Sequence, residues 1–296
     1  MKRHLVSSAL LISFVVLVGF LAKSALSASA LAPSAPALPP VPVSKNLPPP
    51  AVSARDIFIL DMDSQQVLYE KGADEQVYPA STTKMMTALV ALNYYTLDQT
   101  ITVTQSFPEG QNAGLVPGER LTVEQLLYTM LVDSANDAAE ILAQNYPGGR
   151  AAFVGEMNVM ASHMHLYHTH FVNPTGLDED GHYSSAADLT RLAQAVLTHP
   201  LLAKIVSTQN AVIATNTTPH VLTNLNALLG TVPGVLGVKT GFTDLAGQAL
   251  VTYIDRQNHP LIITVLGSTD RFGDTESLIR WVYSDFTWST APSPHP

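Results

Sequence analysis

Hydrophobic positions change period several times along the chain, and each change marks an element. From Leu5 to Ala22 the chain runs uncharged and mostly apolar for 18 residues. Lys2, Arg3 and His4 precede this run, and the small residues Ser27-Ala28-Ser29-Ala30 come after it, as at signal-peptidase sites. A signal-peptide core spans ~7–15 residues and a membrane helix about 20. Residues 1–30 therefore read as a signal peptide or as a membrane anchor through residues 5–22, and either one exports the rest of the chain. Positions 31–50 then hold eight of the twenty prolines. Such a stretch lacks backbone donors and apolar anchors, so residues 31–54 read as a Pro-rich linker, extended and semi-rigid.

The folded body is expected over residues 55–288, with a disordered tail at 289–296. Ile57-Phe58-Ile59-Leu60, a turn at Asp61–Gln65 and Val67-Leu68-Tyr69 read as a β-hairpin. From Ser81 the period becomes helical, with Met85, Met86, Leu89, Val90 and Leu92 on the repeat. Thr122-Val123-Glu124-Gln125 has capping-box form ahead of Leu126, Leu127, Met130 and Leu131. Further helices are predicted over Ala135–Ala143, Ala151–His163 and Ala186–Leu197. Strands return at Val235–Thr240, Gln248–Ile254 and Leu261–Leu266, and a last helix runs from about Thr275 to Phe286. The order strands, helices, strands, helix fits an α/β (α+β) fold. Its mostly antiparallel sheet pairs the early hairpin with the late strands, flanked by helices and an inserted helical lobe.

Composition removes several function classes. The 296 residues carry a formal charge of −9, and loss of residues 1–30 would leave −12. An acidic body has no basic stripe for phosphates, so no nucleic-acid partner is expected. The chain has no cysteine, which excludes disulfides, thiolate catalysis and Cys-bound zinc. His163, His165, His168 and His170 are crowded, with His182 beyond, and raise the thought of a metal hydrolase. There is no His-Glu-x-x-His and no carboxylate at ligand spacing. The histidines are assigned to surface and turn structure.

Three motifs could carry chemistry. Ser81-Thr82-Thr83-Lys84 sets a hydroxyl and an amine three positions apart, side by side on a helix. A neutral lysine can take the proton of such a hydroxyl and make it a nucleophile, provided burial or positive charge lowers its pKa from ~10.4. Ser134-Ala135-Asn136 lies between two apolar helices, where it could be an ordinary cap or could hold a hydroxyl and an amide in a cleft. Lys239-Thr240-Gly241 ends an apolar strand. It could be a turn in water, or a strand edge along which an extended peptide lies while Lys239 supplies positive charge. Singly each motif has a plain structural explanation; together and in this order they form the signature of penicillin-binding proteins and class A β-lactamases.

The sequence resembles the D-alanyl-D-alanine carboxypeptidases among the low-molecular-mass penicillin-binding proteins. The matching stretches are Tyr78–Lys84, Leu121–Asp137, Thr169–Leu189 and Gly237–Gly247. The resemblance implies an extracytoplasmic serine peptidase that removes the terminal D-alanine from peptidoglycan stem peptides, with β-lactam antibiotics as inhibitors and no cofactor. It implies Ser81 as nucleophile, Lys84 as base and Ser134 as proton relay. Asn136, Lys239, Thr240, Gly241 and Phe242 would hold substrate, with the N–H groups of Ser81 and Phe242 as the oxyanion hole.

Departures from the family pattern shape the alternatives. Ala135 replaces the Asp of class A β-lactamases, whose deacylating Glu segment has no convincing match here. The chain ends soon after the last helix, without the extra β-rich domain common in carboxypeptidases of the family. This short form resembles the branch that includes endopeptidases cutting peptide cross-links, the second reading. A non-catalytic wall-binding module is a third. Gln65 stands where the family usually has a turn glycine. Arg271 could bind a carboxylate, although a salt bridge to Asp274 or Glu276 is the simpler expectation.

Overall fold

In the computed structural model, which describes residues 39–289, the strand at Asp56–Asp61 is buried along its whole length because both of its faces are covered. Phe58 and Leu60 point into one apolar cluster, and Ile57 and Ile59 into another. Alternation of side chains along a strand thus splits the core into two layers, one on each face of the sheet.

In chain order the strands and helices begin with β1 (Val41–Ser44), β2 (Asp56–Asp61), β3 (Val67–Lys71) and α1 (Lys84–Tyr94), which comes after a 3₁₀ turn at Ala80–Thr83. The helical lobe comprises β4 (Thr100–Thr102), β5 (Arg120–Thr122), α2 (Val123–Val132), α3 (Asn136–Gln144) and α4 (Gly149–His163). After it come α5 (Ala186–Thr198), α6 (Pro200–Val206), β6 (Asn210–Ile213) and β7 (His220–Thr223). The chain then returns through β8 (Val235–Thr243), β9 (Gly247–Arg256), β10 (His259–Ser268), α7 (Arg271–Asp285) and β11 (Phe286–Ser289).

The main sheet has the order β3-β2-β10-β9-β8, antiparallel throughout. The early hairpin and the three late strands do share one sheet, and β8, which carries Lys239, is an edge strand. The helix α7 packs its Leu278, Ile279 and Val282 on one face. The other face carries α1 and α5, with α2, α3 and α4 beyond them in the larger cluster. Thr122 caps α2 as a full capping box with Gln125.

Several boundaries differ from the sequence reading. The linker assigned to 31–54 is docked over its described part. Val41–Ser44 pairs with Phe286–Ser289, and Asp285 accepts hydrogen bonds from Ser44 Oγ and Leu47 N, both at 2.7 Å. Asp274 accepts from Ser53 N, Ser53 Oγ and Ala54 N. These buried carboxylates supply the anchor that the proline-rich composition lacks. The helix α7 begins at Arg271 rather than near Thr275, because the Asp270 side chain caps it by accepting from Gly273 N. It also stops at Asp285, where Phe286 turns into a strand. The leader 1–30 and all but the first residue of the tail 289–296 lie outside the described residues. Among the described residues no helix is long and apolar enough to cross a membrane.

Candidate active site

Pro79 and the 3₁₀ turn bring Ser81 to the start of α1, and Lys84 opens that helix with its side chain fully buried. Lys84 Nζ lies 2.9 Å from Ser81 Oγ, 2.7 Å from Asn136 Oδ1 and 2.7 Å from Thr175 O. The last two are carbonyl oxygens, which accept only. Burial pushes the Lys84 pKa well down, and the positive charge of Lys239 pushes it further; Asp137 and Glu140 oppose this in part.

Lys239 is likewise buried, and its Nζ donates to Ser134 Oγ at 2.8 Å and to Thr240 O at 3.2 Å. Burial first, then the nearby Arg271, brings its pKa down to about 7, with Asp133 pulling the other way. Ser134 thus bridges to the β8 wall of the crevice while Asn136, two positions on, holds Lys84. Ser134 and Ala80 have φ of +61° and +49°, a region that costs a non-glycine residue about 1–3 kcal/mol. Ala80 directly precedes Ser81, and Ser134 lines the same crevice.

Glycines allow the walls to close. A Cβ on Gly241 would sit 3.0 Å from Ala80 Cβ and 3.2 Å from Ser81 N. The absent side chain therefore lets β8 approach the Ser81 turn itself. A Cβ on Gly176, φ +89°, would collide with Ala80 O. This close packing of the Asn173–Leu177 loop is fixed by Asn173 Oδ1, which accepts from Thr175 N, Thr175 Oγ1 and Gly176 N.

The crevice so formed has a volume of about 280 Å³ and is lined by Ser81, Ser134, Thr240, Gly241, Phe242 and Arg271, with Gln111 and Leu225 at the rim. A larger cavity of about 600 Å³, walled by Leu89, Met160, Met164 and Leu201, is apolar and holds none of these residues. All eight site residues read from the sequence meet around the small crevice: six line it or lie on its strand, and Lys84 and Asn136 lie behind Ser81. Phe242 is 59% exposed at its mouth.

Three residues depart from the sequence analysis: Arg271, Thr175 and His182, the last assigned there to surface or turn structure and found buried. Arg271 makes no salt bridge to Asp274 or Glu276 among the described residues; its Nη1 donates to Gly241 O at 2.8 Å and its guanidinium lies 4.8 Å from the Phe272 ring. It faces the crevice because Asp274 is taken up by Ser53, Ala54 and Ser268. Thr175, which holds Lys84 through its carbonyl, carries no side-chain signal at all. Among the histidines, His182 is buried: its Nδ1 accepts from Val172 N, its Nε2 lies 2.9 Å from Thr83 Oγ1, and burial lowers its pKa to about 4. It braces the Ser81 turn. His165 meets Tyr167, His170 meets Gly181 O, and no metal-ligand cluster forms among the described residues.

An amine with lowered pKa beside a serine hydroxyl, a second cation across the crevice and an edge strand along one wall suit acyl transfer on a peptide. Comparison with known proteins agrees. The family pattern for D-alanyl-D-alanine carboxypeptidase matches residues 43–270. The chain is 33% identical over 247 residues to the D-alanyl-D-alanine carboxypeptidase DacF of Bacillus subtilis, covering 80% of this chain and 64% of that protein. It is 33% identical to a D-alanyl-D-alanine endopeptidase of Pseudomonas aeruginosa over 86% of this chain and 84% of that one. The crystal structure of the Streptomyces K15 DD-transpeptidase superposes with a TM-score of 0.77 at 31% identity, covering 80% of this chain and all of that one. On these matches the chain belongs to the D-alanyl-D-alanine carboxypeptidase family of serine peptidases.

Proposed function

We propose that the protein is an extracytoplasmic D-Ala-D-Ala carboxypeptidase that trims the terminal D-alanine from peptidoglycan stem peptides through an acyl-enzyme on Ser81. The observation that carries this is the environment of Lys84. As a neutral amine it has two N–H groups, which Asn136 Oδ1 and Thr175 O accept, and one lone pair, which is left for the Ser81 hydroxyl. Lys84 takes the Ser81 proton as Oγ bonds to the carbonyl carbon of the penultimate D-alanine. The C–N bond to the last D-alanine breaks, and its amine leaves with a proton relayed by Ser134. Water then hydrolyses the ester.

The oxyanion is held by the N–H groups of Ser81 and Phe242, each worth about 10²–10³ in rate. Lys239, Thr240 and Arg271 hold the terminal carboxylate at the far end, and Asn136 steadies the substrate amide. Penicillins acylate Ser81 as mimics of the D-Ala-D-Ala end. Cleavage of cross-links is the second reading, favoured by the Pseudomonas aeruginosa endopeptidase, which the chain matches over most of its length.

Incubation with a pentapeptide and with a cross-linked dimer separates the two. Free D-alanine from the pentapeptide is expected, and its loss in Lys84→Ala. Monomers from the dimer with no D-alanine from the pentapeptide would overturn the carboxypeptidase assignment in favour of the endopeptidase.

A further inference from the structure

One wall of the crevice is a loop with little secondary structure of its own. Residues Glu109–Leu115 run beside α3 and are stitched to it by hydrogen bonds. Asn136 N donates to Gln111 O at 2.7 Å and Asn136 Nδ2 to Glu109 O at 2.9 Å. Asp137 N donates to Asn112 Oδ1, and the Asp137 carboxylate accepts from the N–H groups of Ala113, Gly114 and Leu115. The placement of the Asn136 amide, and with it one of the three partners of Lys84, therefore depends on where this loop stands.

His220 on β7 holds the loop from its other side. Its Nδ1 lies 3.1 Å from Ala113 O and its Nε2 lies 2.7 Å from Glu119 Oε1. Glu119 is fully buried where the loop enters β5. Burial favours its protonated form, but hydrogen bonds from Thr215, His220, Val116 N and Thr217 outweigh this and hold its pKa below the usual range. A carbonyl and an ionised carboxylate both accept only, so the imidazole satisfies both only when it donates from both nitrogens, as the cation. A neutral ring must give up Ala113 or Glu119. Glu119 is the charged group on the ring itself. Asp137 stands beyond Ala113, β6 presents Ile213 opposite His220, and Glu124 of α2 lines the cavity beside Ala211–Ile213.

We infer that His220 is a positioning residue for the acylation reaction: as the imidazolium it clamps Ala113 to Glu119 and so holds the loop that places Asn136 against Lys84. The inference rests on the roles given above to Lys84 and Asn136. It adds a residue that contacts none of the three motifs and lies on the separate β6-β7 hairpin.

The test joins ¹⁵N NMR of the His220 ring in the intact protein with the rate of penicillin acylation against pH, for the native protein, His220→Gln and Glu119→Gln. In the native protein both ring nitrogens should carry protons, one directed at Ala113 O and the other at Glu119 Oε1. Acylation should then slow in the same step as one of these protons is lost at higher pH. His220→Gln, whose N–H groups share one nitrogen and so cannot replace donors at both ring positions, should be acylated about tenfold more slowly and lack that step. Glu119→Gln, whose amide can donate to a neutral ring, should also lack it. Lys239 titrates nearby in all three proteins, so the difference between profiles is the diagnostic quantity. A ring with a single N–H throughout the range in which acylation proceeds, or a folded His220→Gln with the native rate and profile, would overturn the inference. A native protein that takes up no penicillin at all would bring down the proposed function, and the inference with it.

Discussion

Lys84 and Lys239 stand in one crevice, both buried and both with pKa values pushed down from 10.5, first by burial and then by a positive neighbour. In the proposed reaction Lys84 must be neutral to accept the Ser81 proton, whereas a cation serves best where Lys239 would hold the carboxylate. The charge on Lys239 therefore bears on Lys84. Below about pH 7 Lys239 is charged and disfavours the ammonium form of Lys84. Lys239→Ala removes this repulsion, so the Lys84 pKa rises and a higher pH is needed to free its lone pair. The acid limb of the pH–acylation profile should move to higher pH, and the pentapeptide KM should rise about tenfold through loss of a charged hydrogen bond. An acid limb that stays in place or moves down would show that Lys239 does not tune the base. The seven motif residues could be picked out and are found around one crevice because residue types at fixed spacing are a sequence property, whereas Phe242 came from the family resemblance alone. Thr175 could not be picked out, since a backbone carbonyl has no residue-type signature. Arg271 was misread because its alternative partners Asp274 and Glu276 are nearer in sequence, while Gly241 is 30 positions away.

Element by element, periodicity and caps carried most of the fold. The hairpin of β2 and β3, the capping box of α2 and the late strands arise from local patterns that tertiary packing reinforces. Four features did not show, among them the three-residue strands β4 and β5, which pair across a long connection. The helix α6 is seven residues long and starts at Pro200, too short for a period to declare itself. The β6-β7 hairpin is four residues a side, with Val212 and Val221 exposed. The pairing of β1 with β11 joins the two ends of the described chain, and no local pattern reports a partner so distant. Gln65 illustrates a local rule broken. It lies in the β2-β3 turn with φ +59°, as a turn glycine would. Its side chain meets Met62 O and Gln194 Nε2 at exposed sites, which offsets little of the cost. Gln65→Gly should stabilise the protein by up to about 1 kcal/mol, read as a higher urea midpoint with unchanged slope. A lower midpoint would mean that those two hydrogen bonds outweigh the backbone strain.

For the molecule as a whole, the site makes stability depend on pH. The buried lysines bind protons more weakly when folded than when unfolded, so the unfolded state holds more protons between the two pKa values. Stability then rises with pH across that window and falls as pH drops through it. For Lys239 the window runs from about 7 to 10.5, with a slope of about 1.4 kcal/mol per pH unit for one proton. Urea unfolding at about pH 8 and 9 should show this rise in the native protein and a weaker one in Lys239→Met. Equal slopes would place the charged lysine in a solvated setting unlike the crevice described. The same burial that costs stability at neutral pH frees the amine for chemistry, and the two-sided core with its docked first strand supports that cost. The central claim is that Ser81 is the nucleophile of this crevice. Brief incubation with a penicillin, then proteolysis and mass spectrometry, locates the adduct directly. The covalent mass should appear on the peptide containing Ser81 and vanish in Ser81→Ala; an adduct on any other residue, or none, would contradict it.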